Sequence, residues 1–140
     1  MAARPLADVA VGDVVGPVTV PVTRETLVAY AGASGDQNPI HQDEDVARSV
    51  GLPDVIAHGM WTMGAAGSVV SAWAGDPGRV VEFGTRFTKP VVVPTSGASI
   101  DVEGAVRTVD AETGRVTLDV TVTADGQKVL GRCVAVVRLD

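Results

Sequence analysis

Tyr30-Ala31-Gly32-Ala33-Ser34-Gly35-Asp36-Gln37-Asn38-Pro39-Ile40-His41 reads as the last turns of a helix running into a stiff polar bend. The cluster from Ser34 to Pro39 stops the helix. Asn38-Pro39 tightens the turn, so Asp36 and His41 can face one spot. A carboxylate beside an imidazole is what general acid–base chemistry needs, one group taking a proton while the other gives one. Imidazole titrates near pH 6.5 when unperturbed and serves in either role. The same residues also have a purely conformational reading. Asp, Asn and Pro are common in turns, and a histidine after a turn is often a cap or a solvated side chain. Spacing alone leaves both readings open.

Upstream, residues 13–22 suit a short strand interrupted by Gly16-Pro17. Thr23 offers an N-cap for a helix over residues 24–33, with Leu27, Tyr30, Ala31 and Ser34 on one face. Downstream, Asp43 can cap a second short helix, with Val46, Ala47 and Val50 at helical spacing. Gly51 and Pro53 stop it. His58-Gly59 then opens an uncharged helix over residues 60–74, ended by Asp76-Pro77-Gly78. A membrane span needs roughly 20 apolar residues, so this segment reads as a core helix instead. Gly64, Ala65, Ala66, Gly67 and Ser68 keep its middle thin, which lets a sheet approach closely. Being apolar all round, it is expected to be enclosed.

The remainder reads as strands. Val81, Phe83, Thr85 and Phe87 alternate with polar or small residues, as do Val116, Leu118, Val120 and Val122. Thr113-Gly114 and Asp125-Gly126 mark hairpin turns. The last strand, residues 128–138, is apolar on both faces and suits a central position or one covered by another subunit. Helices first and strands after predict an α+β fold: one curved antiparallel sheet wrapped around a long buried central helix, as a single domain over residues 1–140.

Composition narrows the function classes. A chain of 140 residues holds one core. The single cysteine, Cys133, excludes disulfide scaffolding and a cysteine-ligated metal within one subunit. It reads as a small core residue. The net charge of −6, with basic residues spread and no Lys/Arg run, argues against nucleic acid. No secretory leader is legible after Met1, and no membrane anchor, so a cytoplasmic setting is expected.

The segment from Tyr30 to His41, with Ala47 beyond it, resembles the signature of the MaoC-like, R-specific enoyl hydratase family (hydratase 2). Tyr30, Ser34, Gly35, Asp36, Asn38, Pro39, Ile40, His41 and Ala47 occupy its fixed positions. Ile56-Ala57-His58-Gly59-Met60 is similar to the family's second block. Met60-Trp61-Thr62-Met63-Gly64 and Trp73-Ala74-Gly75-Asp76-Pro77-Gly78 resemble in particular the HadB-type (3R)-hydroxyacyl dehydratase subunits of bacterial type II fatty-acid synthesis.

The resemblance implies a single hotdog fold and a hydro-lyase acting on acyl thioesters. It implies Asp36 and His41 as the catalytic pair, Asn38 as their orienter and the Gly59 N–H as donor to the enolate oxygen. It implies no cofactor and no metal. Helix N-termini carry free N–H groups, and Gly59 has no side chain to block approach, although a purely steric need for glycine is the competing reading. His58 is expected to hold the loop that presents Gly59. Met60 and Met63 read as core residues, with lining of the acyl side as the alternative, and Gly67 is expected on the acyl side. Short-chain relatives carry serine where Gly67 stands, so more room is expected there.

The substrate carrier would be acyl carrier protein or CoA. Both are anionic, so Arg79, Arg86 and Lys89 are candidates for a local basic patch. The partner would be a second copy or a related hotdog subunit, with Trp61 and Trp73 as candidate interface residues. A thioesterase usually needs a carboxylate on the central helix, and residues 60–74 offer none. A non-catalytic scaffold is the other rival.

Overall fold

The structure is a computed structural model describing residues 2–140. Its elements run β1 (Val14–Val22), α1 (Arg24–Ser34), α2 (Glu44–Ser49), α3 (Gly59–Ala74), β2 (Val80–Phe87), β3 (Ala98–Asp110), β4 (Arg115–Ala124), β5 (Gln127–Lys128) and β6 (Leu130–Arg138). Single turns of 3₁₀ helix lie at Leu6–Asp8, Pro39–His41 and Pro77–Arg79.

Helix starts follow the side chains that can cap them. Thr23 and Thr26 form a reciprocal capping box at α1. The Asp43 carboxylate accepts from the Asp45 and Val46 N–H groups at α2. Gly35, at φ 82°, ends α1 in the left-handed conformation that glycine adopts without strain.

The strands pair antiparallel in the order β1-β3-β4-β6-β2, with the short β5 beside β4. Ile100, Val102 and Val106 of β3 alternate inward, as do Val116, Leu118, Val120 and Val122 of β4. Along α3, Thr62, Ala66, Val70 and Ala74 are buried, one every fourth residue. That stripe is the line on which the sheet's concave face packs. β6 lies between β4 and β2, the central place its two apolar faces call for.

Two expectations change. The enclosure of α3 is one-sided: Met60, Gly64, Ser68 and Ala72 are exposed, because the sheet covers a single face of the helix. In β2 the expected alternation breaks. Val81 and Phe87 are exposed by 45% and 53%, since the pairing with β6 slips between Val80 and Glu82 and again between Gly84 and Arg86. The expected interruption of β1 at Gly16-Pro17 stands, as a shift in its register with β3 between Val15 and Val18.

Candidate active site

The bend is built by its own polar side chains. Ser34 Oγ accepts the Asp36 N–H at 3.1 Å. Asp36 Oδ1 accepts the Asn38 N–H at 3.1 Å. Asn38 Oδ1 accepts the Ile40 N–H at 3.2 Å and so caps the turn Pro39–His41, with Pro39 at its first position. Asn38 therefore ties Asp36 to the turn that carries His41, through its backbone N–H and its cap. One carboxylate oxygen of Asp36 is fixed by this chain, and the other, Oδ2, is left facing His41 Nε2 at 3.9 Å.

His41 is buried, whereas the Asp36 side chain is half exposed. The His41 Nδ1 stands 2.7 Å from the Ile56 carbonyl oxygen. A carbonyl only accepts, so Nδ1 carries a proton there, and Nε2 is the ring nitrogen turned toward Asp36. His58 stacks on His41, ring centroids 3.7 Å apart and planes 21° from parallel. Its Nε2 lies 3.1 Å from the Asp36 carbonyl oxygen and must donate there. Its Nδ1 is buried and finds no partner, which leaves an unpaired acceptor rather than an unpaired donor. Tyr30 also packs on His58, ring centroids 4.8 Å apart. One side chain thus touches the backbone of Asp36 and the ring of His41, and it precedes Gly59 directly.

Gly59 is exposed and opens α3, so its N–H belongs to the first turn, which has no intrahelical acceptor. The steric reading also holds. A Cβ at Gly59 would lie 2.9 Å from the Phe87 ring. Asp36, His41, Gly59, Met60 and Lys89 line one hollow of about 490 Å³, with Phe87, Leu130 and Val129 in its apolar wall. Such a mixture of apolar wall and few convergent polar groups suits a small-molecule site. Asp36, His41 and His58 bring potential metal-ligand atoms within 4.8 Å of one another. One ring nitrogen of each histidine is already committed to a carbonyl.

Of the other candidates only Lys89 joins Met60 at this hollow. Arg79 lies beyond the opposite end of α3, tied to Asp140 at 2.8 Å and to Asp76 at 3.7 Å. Arg86 lies on β2 opposite Gly131 and does not line the hollow. The Lys89 Nζ donates to Gln127 Oε1 at 3.0 Å. Met63 is half-buried and does not line the hollow. At Gly67 the expected room is taken by the Phe83 ring, 3.1 Å from where a Cβ would stand. Trp61 and Trp73 instead line a larger groove of about 1060 Å³ between α3 and β1, which meets the hollow at Met60. Cys133 is buried against the sheet, and burial pushes its thiol above the ordinary range. The Ile56 carbonyl and the Phe87 ring were not legible beforehand, because only the folded chain brings them to the bend.

A family model described as MaoC like domain matches residues 8–125. The (R)-specific enoyl-CoA hydratase of Rhodospirillum rubrum is 32% identical over 111 residues, which cover 78% of this chain and 74% of that protein. The 3-hydroxyacyl-thioester dehydratase X of Mycobacterium tuberculosis is 37% identical over 83 residues, 59% of this chain but 29% of that one. A solved MaoC-like dehydratase superposes with a TM-score of 0.96 at 42% identity, over 99% of this chain and 43% of its own. The chain thus spans under half the length of these last two relatives. Among the described residues, no helix is long and apolar enough to cross a membrane.

Proposed function

This chain belongs to the MaoC-like family, and from that membership we propose that it interconverts (3R)-3-hydroxyacyl thioesters and trans-2-enoyl thioesters by loss or gain of water. One observation carries the proposal. Asp36 Oδ2 and His41 Nε2 stand 3.9 Å apart in the hollow at the open end of α3. Two such atoms can share one oxygen, each at a hydrogen-bond distance of about 2.8 Å.

The chemistry follows from that gap. A water held there delivers its oxygen to C3 of an enoyl thioester, while a proton is added at C2. One member of the pair takes the proton that water releases while the other gives the proton that C2 receives, and a proton passed back between them restores the starting state. Charge develops on the thioester oxygen between the two events. The Gly59 N–H and the positive end of α3 are the donors for it, a contribution of about 3 kcal/mol at comparable sites. The C2 proton of a thioester is acidic enough to leave only when that charge is held.

The carrier in this reading is the phosphopantetheine arm of acyl carrier protein in type II fatty-acid synthesis, with Lys89 as the cation in the hollow's wall. The second reading, an R-specific hydratase of CoA thioesters, is favoured by the similarity to the Rhodospirillum rubrum protein. A second hotdog subunit, identical or related, would cover the exposed outer stripe of α3 and the β2 edge bearing Val81 and Phe87. The setting is the cytoplasm.

Assays with trans-2-enoyl thioesters of several lengths, on CoA and on carrier protein, test this. Loss of the conjugated absorbance without release of thiol is the expected result. Thiol release would point to a thioesterase, and no change with either carrier to a scaffold.

A further inference from the structure

Arg24 breaks a local rule. It is the first residue of α1, where the unpaired N–H groups make the helix end positive and a cation is unfavourable. Its guanidinium binds acceptors from three other segments. Nε donates to the Val93 carbonyl at 2.7 Å, and Nη2 meets Asp54 Oδ1 at 2.9 Å and Glu44 Oε1 at 3.0 Å. Arg48 approaches the same two carboxylates at 3.5 Å and 4.0 Å.

What these ties hold lies beside His41. Residues 55–57 run antiparallel to residues 91–93 on two rungs, Val93 N–H to Val55 O and Ala57 N–H to Val91 O, each 2.9 Å. Arg24 adds a tie at the end of this short ladder by joining the Val93 carbonyl to Asp54. Ile56 sits between the rungs, so its own N–H and carbonyl face the other way. There the N–H donates to Ile40 O at 3.3 Å, and the carbonyl accepts from His41 Nδ1 at 2.7 Å. No helix or named strand spans residues 50–58, so these ties set where the Ile56 carbonyl stands.

We infer that Arg24, with Asp54, is a positioning residue: it fixes the Ile56 carbonyl and through it the ring orientation and tautomer of His41. Its effect on turnover rests on the hydratase reading above; its effect on the ring does not. A planar two-nitrogen fork reaches a carbonyl and a carboxylate at once, which a lysine ammonium cannot match.

The test compares the full chain with Arg24→Gln, Arg24→Lys and Asp54→Asn, using imidazole nitrogen NMR and enoyl thioester hydration. The wild-type chain should show His41 as the Nδ1–H tautomer with a slowly exchanging ring proton. Arg24→Gln and Asp54→Asn should both mix the tautomers and speed that exchange. Misplacing the imidazole should lower kcat by about 10–100-fold while KM stays within about threefold, with Arg24→Lys recovering part of the loss. If Arg24→Gln does not fold, Asp54→Asn carries the test. Wild-type tautomer and exchange in the folded variants, or a loss confined to KM, would overturn the inference. A wild-type chain that hydrates no enoyl thioester would remove the functional reading, while the NMR comparison still decides the role of Arg24.

Discussion

The two ends of α3 are finished in opposite ways. At its C-terminal end Gly75, at φ 83°, closes the helix with its N–H on the carbonyls of Ser71 and Ala72. Arg4 adds its backbone N–H to Ala74 O at 2.8 Å and its Nε to Trp73 O at 2.9 Å, with the guanidinium 4.8 Å from the Trp73 ring centre. A cation there complements the negative helix end. At the N-terminal end His58 occupies the cap position and makes no capping bond. Yet Thr23, Asp43, Asn38 and Asp76 all cap shorter helices in the same chain. A cap is worth about 1 kcal/mol, and the longest helix forgoes it. The side chain that could have capped instead braces Asp36 and His41. The stitched end serves stability. The open end leaves its free N–H groups at the hollow that Asp36 and His41 also line.

The sharpest way to break this contrast is at the open end. His41→Ala or Asp36→Asn should cut hydration by about 10²–10⁴-fold, followed by enoyl absorbance, with the far-ultraviolet circular dichroism unchanged. Midway along the helix, Gly67→Ser forces a side chain against the Phe83 ring. Chemical denaturation should then show a loss of about 1–3 kcal/mol from overpacking. At the stitched end, Arg4→Ala should cost about 1–2 kcal/mol by the same measurement, with kcat unchanged below the melting range. The smallest effect belongs to Cys133. Its buried thiol is held in the neutral form, so native-state labelling by a thiol reagent should be slow, and Cys133→Ala should leave turnover unchanged. Burial favours the protonated thiol, so its share of stability is present below the ordinary thiol range. That share is lost as pH rises through the raised value, and denaturation at alkaline pH should show it.

The legible parts of this molecule were the ones written in local chemistry. Thr23, Asp43, Gly35 and Asn38-Pro39 mark ends and bends by side chains that bond within a few residues, and the structure places each where those bonds dictate. The bend brings Asp36 and His41 together for the same reason. β3 was harder to delimit, because Gly104 and Ala105 interrupt its apolar alternation. The slips in β2 are set by pairing with β6, about fifty positions away in the chain, and no property of Val81 or Phe87 announces them. Arg79 looked like part of a patch with Arg86 and Lys89. Its partner is Asp140, brought in by the C-terminal strand. Gly67 promised space that only the position of Phe83 could deny. Contacts between distant segments are decided by the whole fold and leave no local signature.

Hydration of a trans-2-enoyl thioester in heavy water, with the product weighed by mass spectrometry, bears most directly on the open end of α3 and its acid–base pair. The expected product carries a hydroxyl at C3 and one deuterium at C2, and the Asp36→Asn and His41→Ala chains form almost none of it. Recovery of unchanged enoyl thioester from the wild-type chain, with or without a second subunit, or undiminished deuterium uptake in either variant, would contradict the account.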